Sequence, residues 1–207
     1  MSDETPQNQA VPITLTVNGR THQLSVEPRK LLADVLRQDL KLTGLNIGCA
    51  HGVCGSCTVL VNGHTARSCI MFGVQADGAE ITTIEGVAPS PTELHPIQDA
   101  FWDKQGLQCG FCTPGMVLRT IEILRENPSP TREEVREGIS SNLCRCTGYQ
   151  FIVDAVMDAA QRLRTGETAD PQGDDAARVA AEHGLRVEHL TPESGEGGAT
   201  HVPASHP

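Results

Sequence analysis

Eight cysteines set the first limit on what this chain can fold into. They lie at Cys49, Cys54, Cys57, Cys69, Cys109, Cys112, Cys144 and Cys146. The spacing is C-x4-C-x2-C-x11-C, then C-x2-C-x31-C-x-C, which reads as two sets of four. The N-terminal MSDETPQNQAVP is polar and acidic and lacks the form of a secretory signal. Thiols clustered in a reducing compartment read as metal ligands or redox groups rather than as disulfides. Zinc is the main competing reading. Four-cysteine zinc sites usually join two C-x2-C knuckles, and the first set lacks that form. Its C-x4-C-x2-C run is instead the opening of a plant-type [2Fe-2S] loop. The stretch GCAHGVCGSC also carries Gly48, Gly52 and Gly55. Glycines there let the backbone wrap closely and turn N–H groups toward cluster sulfurs. The second set fits neither the common zinc spacings nor the C-x2-C-x2-C of a [4Fe-4S] ferredoxin. Spacing thus favours two [2Fe-2S] clusters over zinc. Cys49, Cys54, Cys57 and Cys69 are the expected ligands of the first, and Cys109, Cys112, Cys144 and Cys146 those of the second.

Composition narrows the partners. The formal net charge is -10, which argues against nucleic acid and against an anionic membrane surface. No apolar run approaches the ~18 residues of a membrane span. The expectation is a cytoplasmic protein. Aromatic residues make up only 3% of the chain, so its cores must be built from short aliphatic side chains.

Patterning divides the chain. Residues 1–10 read as a disordered leader. VPITLTV and RTHQLSV alternate apolar and polar around Asn18-Gly19, a hairpin signal. Leu31, Leu32, Val35, Leu36 and Leu40 recur at helical spacing, predicting an amphipathic helix over 30–40. TVLVNGHTARSC reads as a second hairpin around Asn62-Gly63, with Cys69 on its return strand, and ITTI as a last short strand. Hairpin, helix, hairpin, strand is the β-grasp order. After the Pro-rich 87–94, taken as a linker, no strand pattern remains. Four helices are expected: one from HPIQDAFWDKQG; one opened by Thr113 as N-cap and Pro114; one begun by a Thr131/Glu134 capping box; and one near 150–164. The predicted fold class is therefore α+β: a plant-type ferredoxin-like β-grasp domain at 11–86, then an all-α four-helix [2Fe-2S] domain at 95–164. The remainder, 165–207, holds eight acidic residues against two arginines and no aromatic. It reads as an acidic tail, disordered or partner-bound.

The motifs GCAHGVCGSCTVLVNG, the Ser68-Cys69 pair, LQCGFCTPGM and NLCRCTGYQ closely resemble the iron-sulfur (small) subunit of the xanthine oxidase, or molybdenum hydroxylase, family (the carbon monoxide dehydrogenase small-subunit type). The resemblance runs from about Val11 to Arg164. It implies an electron-transfer subunit of an oxidoreductase complex, with catalysis carried out elsewhere. Electrons would pass singly from a molybdenum-pterin cofactor in a large subunit, through the cluster of the helical domain, then through that of the β-grasp domain. FAD in a medium subunit, or another acceptor, would receive them, and a dimer of heterotrimers is expected. By motif match, Gln108 and Cys146 would contact the partner's pterin cofactor. The first loop is more similar to those of subunits serving N-heteroaromatic or aldehyde hydroxylases than to those of carbon monoxide dehydrogenases. A stand-alone two-cluster ferredoxin is the alternative. His51 is expected to be a solvated loop residue, Tyr149 to pack and cap, and Phe101 and Trp102 to pack.

Overall fold

In a computed structural model, residues 9–90 and 92–166 are described. The acidic segment from 167 onward and nearly all of the 1–10 leader lie outside them. The strands are β1 (Val11–Val17), β2 (Arg20–Val26), β3 (Thr58–Val61), β4 (His64–Arg67) and β5 (Glu80–Thr82). They form one sheet in the order β2-β1-β5-β3-β4, with β1 and β5 parallel and the other pairings antiparallel. Alternation in the sequence becomes alternation in space: Ile13, Leu15 and Val17 are buried while Thr14 is exposed. Both hairpin tips take the left-handed backbone that a two-residue turn demands, with φ of 50° and 75° at Asn18-Gly19 and 50° and 83° at Asn62-Gly63. The Asn18 side chain also clasps Thr83, accepting from its amide and donating to its hydroxyl at 2.9 Å each. That ties the first hairpin to the end of β5.

The predicted 30–40 helix forms only in part. A short α-helix, α1 (Leu32–Asp34), widens at once into a π-helical turn, Val35–Asp39. The Leu40 amide bonds the Val35 carbonyl at 3.1 Å, five residues back. The cause is downstream. Arg37 binds the carbonyls of Thr43 and Leu45, and the widened turn lets Leu40 and Leu42 reach the sheet core. That core gathers Ile13, Leu15, Val17, Leu32, Val35, Leu36, Val59 and Ile81. Cys69 is not on the return strand. β4 ends at Arg67, and Ser68–Ile70 is a 3₁₀ turn. The Ser68 hydroxyl donates to the Cys57 carbonyl at 2.7 Å, which bends the chain and turns Cys69 inward.

The second core is helical. α2 (Pro96–Asp103), α3 (Thr113–Glu126), α4 (Arg132–Ile139) and α5 (Gln150–Thr165) surround Ile97, Phe101, Met116, Val135, Ile152 and Val156. Full burial of a side chain such as Phe101 contributes about 2 kcal/mol. The Thr131/Glu134 capping box is present, with the Thr131 hydroxyl accepting from the Glu134 amide at 3.3 Å. Thr113 is not the cap of α3. That position belongs to Cys112, whose carbonyl accepts the first helical bond, from Met116 at 3.0 Å. Trp102 does not pack: it is 71% exposed, because α2 turns Phe101 inward and the next residue lies about 100° around the helix.

The sheet and the helices are not strung apart. α3 lies against β3 and β4, and Glu122 on α3, only 5% exposed, accepts from the Thr65 amide at 2.9 Å and hydroxyl at 2.5 Å. Arg119 neutralises it. Burial pushes the Glu122 carboxyl up, but the two Thr65 donors and Arg119 outweigh that and hold it below the usual range. It is therefore ionised at neutral pH. Glu122→Ala would leave Thr65 and Arg119 without their partner, a loss of about 3 kcal/mol. Urea unfolding at neutral pH should show a midpoint lowered accordingly.

Candidate metal centres

The first four thiols converge from the loop 48–57 and the turn after β4. Ala50, Gly52 and Gly55 have φ of 55°, 81° and 76°, which winds the loop tightly and aims its amides inward. The Cys54 amide lies 3.4 Å from Cys49 Sγ. Donation from Cys54 first, then from the His51 amide, brings the Cys49 thiol down to about 6. Gly48 allows the close wrap, since a Cβ there would stand 3.0 Å from Cys54 Sγ. Cys57 and Cys69 are buried. Burial, then the neighbouring Cys57 thiol, pushes Cys69 up to about 11, while the Gly52 amide opposes the rise.

The second four come from the turn before α3 and the turn before α5. Cys146 and Cys109 Sγ lie 3.5 Å apart. The Phe111 amide, then the Cys146 thiol, lowers Cys109. Burial, then the Cys144 thiol, pushes Cys112 up to about 12. Burial also raises Cys144, but the Thr147 hydroxyl, 3.2 Å from its sulfur, and nearby amides outweigh it and the net shift is downward. Tyr149 stands at the N-cap position of α5 with φ 71° and packs as expected, but its side chain makes no capping bond to the helix. Its ring packs on the helical core, and its hydroxyl accepts from the Cys144 amide at 2.9 Å.

Both donor sets suit [2Fe-2S] clusters. Inward amides and hydroxyls favour anionic sulfur, and Cys112 sits at a helix N-terminus, where anions are favoured. Among the described residues, His64, Glu122 and Glu126 bring ligand atoms within 4.8 Å of one another. Glu122 is already taken by Thr65 and Arg119, so that trio reads as part of the sheet–helix link. His51 is exposed, its Nδ1 2.5 Å from the Cys49 carbonyl rather than on a sulfur.

The two sets differ in access. Cys109 and Cys146 are exposed, as are Gln108, Phe111, Leu143 and Arg145. The sets also meet. The Leu143 amide donates to the Cys54 carbonyl at 2.8 Å, and Asn46 Nδ2 donates to the Phe111 carbonyl at 2.9 Å. Sequence reasoning missed Asn46, Arg67, Glu122 and Asn142, all of which bridge segments far apart in the chain and carry no motif of their own. The thiol environments give an ordered chemistry. In the metal-free chain near pH 7, Cys49 is already largely thiolate, because its lowered value lies below that pH; Cys69 and Cys112 are still protonated, because theirs lie far above it. Iodoacetamide labelling followed by peptide mass mapping should therefore modify Cys49 early, and Cys69 and Cys112 last.

Known proteins resemble the chain over these same regions. Residues 15–81 match the family described as "2Fe-2S iron-sulfur cluster binding domain", and residues 83–157 match "[2Fe-2S] binding domain". The nicotine 6-hydroxylase small subunit of Paenarthrobacter nicotinovorans is 51% identical over 163 residues, covering 79% of this chain and 97% of that subunit. The caffeine dehydrogenase subunit gamma of Pseudomonas sp. (strain CBB1) is 50% identical over 147 residues, covering 70% of this chain and 87% of that subunit. Among solved structures, quinoline 2-oxidoreductase from Pseudomonas putida 86 matches with a TM-score of 0.73 and 49% identity, over 77% of this chain and 99% of that one. With two [2Fe-2S] domains side by side and a small-subunit relative covered almost end to end, the chain belongs to the family of iron-sulfur small subunits of the molybdenum hydroxylases.

Proposed function

We propose that this chain carries electrons, one at a time, between a molybdenum-pterin cofactor in a large partner subunit and FAD in a medium subunit. Cys49, Cys54, Cys57 and Cys69 hold one [2Fe-2S] cluster, and Cys109, Cys112, Cys144 and Cys146 the other. When bound, each cluster takes up and releases a single electron with little change of shape. The observation that carries this reading is the hydrogen bond from Leu143 to Cys54 at 2.8 Å. Leu143 adjoins Cys144, so one hydrogen bond and a short run of covalent bonds join the two thiol sets.

The chain's residues divide the remaining work. Cys57 and Cys69 are buried behind the sheet, which keeps water from that end of the first set. Cys109 and Cys146 are exposed beside Gln108, an opening suited to a partner's cofactor. Gln108 and Cys146 meet the pterin there, with Phe111 and Leu143 supplying apolar contact and Arg145 a cation. The split at 86 and 95 separates one cluster-binding half from the other. Helices dedicated to an open second set distinguish this arrangement from a stand-alone ferredoxin, which has no need of a cofactor-facing surface.

The substrate class follows from the relatives. Nicotine, caffeine and quinoline, named in those proteins, are all N-heteroaromatic. The complex served by this chain accordingly hydroxylates an N-heteroaromatic compound or an aldehyde, in preference to carbon monoxide. A dimer of heterotrimers in the cytoplasm is the assembly that fits. Among the described residues no helix is long and apolar enough to cross a membrane.

The first measurement is metal and acid-labile sulfide. About four iron and four sulfide per chain are expected; zinc without sulfide, in material purified without oxygen, would overturn the reading. Cys146→Ser should damage the pterin-side cluster and abolish acceptor-linked turnover of the complex. Cys54→Ser should damage the other cluster and stop electrons short of the acceptor. Full turnover in either variant would refute the linear route.

A further inference from the structure

Asn142 is 1% exposed, and its side-chain amide is committed on both sides. Nδ2 donates to the Gly55 carbonyl at 3.1 Å and to Thr58 Oγ1 at 3.3 Å. Oδ1 accepts from Arg67 Nη2 and from the Ser141 hydroxyl, each at 3.2 Å. Arg67 closes the ring by donating to Thr58 Oγ1 at 2.6 Å and to the Ser141 carbonyl at 2.7 Å. Gly55 lies between Cys54 and Cys57, Thr58 follows Cys57, and Asn142 stands two residues before Cys144. One buried amide thus grips the first thiol loop from within the segment that carries half of the second set.

Two glycines show how tight the grip is. A Cβ on Gly55 would stand 2.8 Å from both Asn142 Cγ and the Ser141 carbonyl oxygen. A Cβ on Gly115 would stand 2.4 Å from the Gly55 carbonyl oxygen and 3.2 Å from Asn142 Nδ2. The two segments therefore meet backbone to backbone, with Asn142 filling the space between them.

We propose that Asn142 is a positioning residue that fixes the separation and orientation of the two cluster-binding loops, and through them the rate at which an electron passes between the clusters. This rests on the electron-transfer reading above. The step is balanced within the chain: one cluster is oxidised by one electron as the other is reduced by one. Tunnelling and magnetic coupling both fall steeply with separation, so a small shift of one loop is read directly. Asparagine is specific here because the site needs a donor toward Gly55 and an acceptor toward Arg67 at once. Aspartate keeps the acceptor but sets a carboxylate against the Gly55 carbonyl. Alanine removes one donor from that carbonyl and one acceptor from Arg67, which leaves both held only by Thr58 and Ser141 and removes the side-chain link from position 142 to the first loop.

The test uses the assembled complex with Asn142→Asp and Asn142→Ala, and Thr131→Ala as a variant weakened elsewhere in the helical half. Iron and sulfide are counted, the two reduced clusters are examined by low-temperature EPR for their mutual splitting, and the inter-cluster rate is followed after rapid reduction. Both Asn142 variants should keep their iron and sulfide, show a diminished splitting and pass electrons several-fold more slowly. Thr131→Ala should keep splitting and rate. Unchanged splitting and rate in both Asn142 variants would overturn the proposal. Loss of clusters from both would overturn it too, making Asn142 a residue that holds the loop's fold. A wild-type chain without iron and sulfide would instead sink the electron-transfer reading itself.

Discussion

Everything in this chain depends on holding eight thiols, each a potential anion, in a small volume without letting them repel the fold apart. The chain does so with backbone amides. Cys54 and His51 supply them to Cys49, and Phe111 supplies one to Cys109. These donors do not titrate and carry no counter-ion that must be desolvated, so they stabilise negative sulfur at little cost. The local backbone is shaped to deliver them: left-handed residues at Ala50, Gly52 and Gly55 in the first loop, and Gly148 and Tyr149 before α5.

The same demand explains the asymmetry between the sets. The first set lies against the sheet, with Cys57 and Cys69 buried, and burial there raises Cys69. The second lies at the ends of two helices, with Cys109 and Cys146 open to solvent. Cys109 and Cys146 thus leave the second set an uncovered edge, whereas the first set is shielded on its Cys57 and Cys69 side and half-buried at Cys49 and Cys54. Acidic composition suits this arrangement: a chain with net charge -10 that docks to protein surfaces has no need of a basic face.

Legibility followed the range of the interaction. Hairpins at Asn18-Gly19 and Asn62-Gly63, the Thr131 capping box and the C-x4-C-x2-C, C-x2-C and C-x-C runs are written in short spans of sequence, and the fold they imply is the fold observed. Departures occur where a distant partner decides. Arg37 reaching the carbonyls of Thr43 and Leu45 turns a regular helix into a π-helical one. The Ser68 hydroxyl on the Cys57 carbonyl takes Cys69 off its strand. Helix α3 starts at the residue after Cys112 because the chain turns there, and the Thr113 hydroxyl is left buried without a partner. Glu122 and Asn142 look like ordinary polar residues until the helices close on β3 and β4. No local pattern could have marked them.

That last group bears on why the two halves are joined as they are. Two cores built from short aliphatic side chains could tolerate some slippage, because dispersion contacts between Val, Ile and Ala are weakly directional. Hydrogen bonds are not so forgiving. Leu143 to Cys54, Asn46 to Phe111 and Glu122 to Thr65 each demand a definite register between sheet and helices. The Thr65–Glu122 pair is part-buried, so a slip there would leave desolvated groups unmatched at about 1–3 kcal/mol apiece. The apolar cores make the two halves stable; the polar seam between them sets where each half stands relative to the other. A chain that only needed to bind two clusters could dispense with that seam. A chain that must pass an electron between them cannot, since the transfer depends on a distance that apolar packing alone does not define.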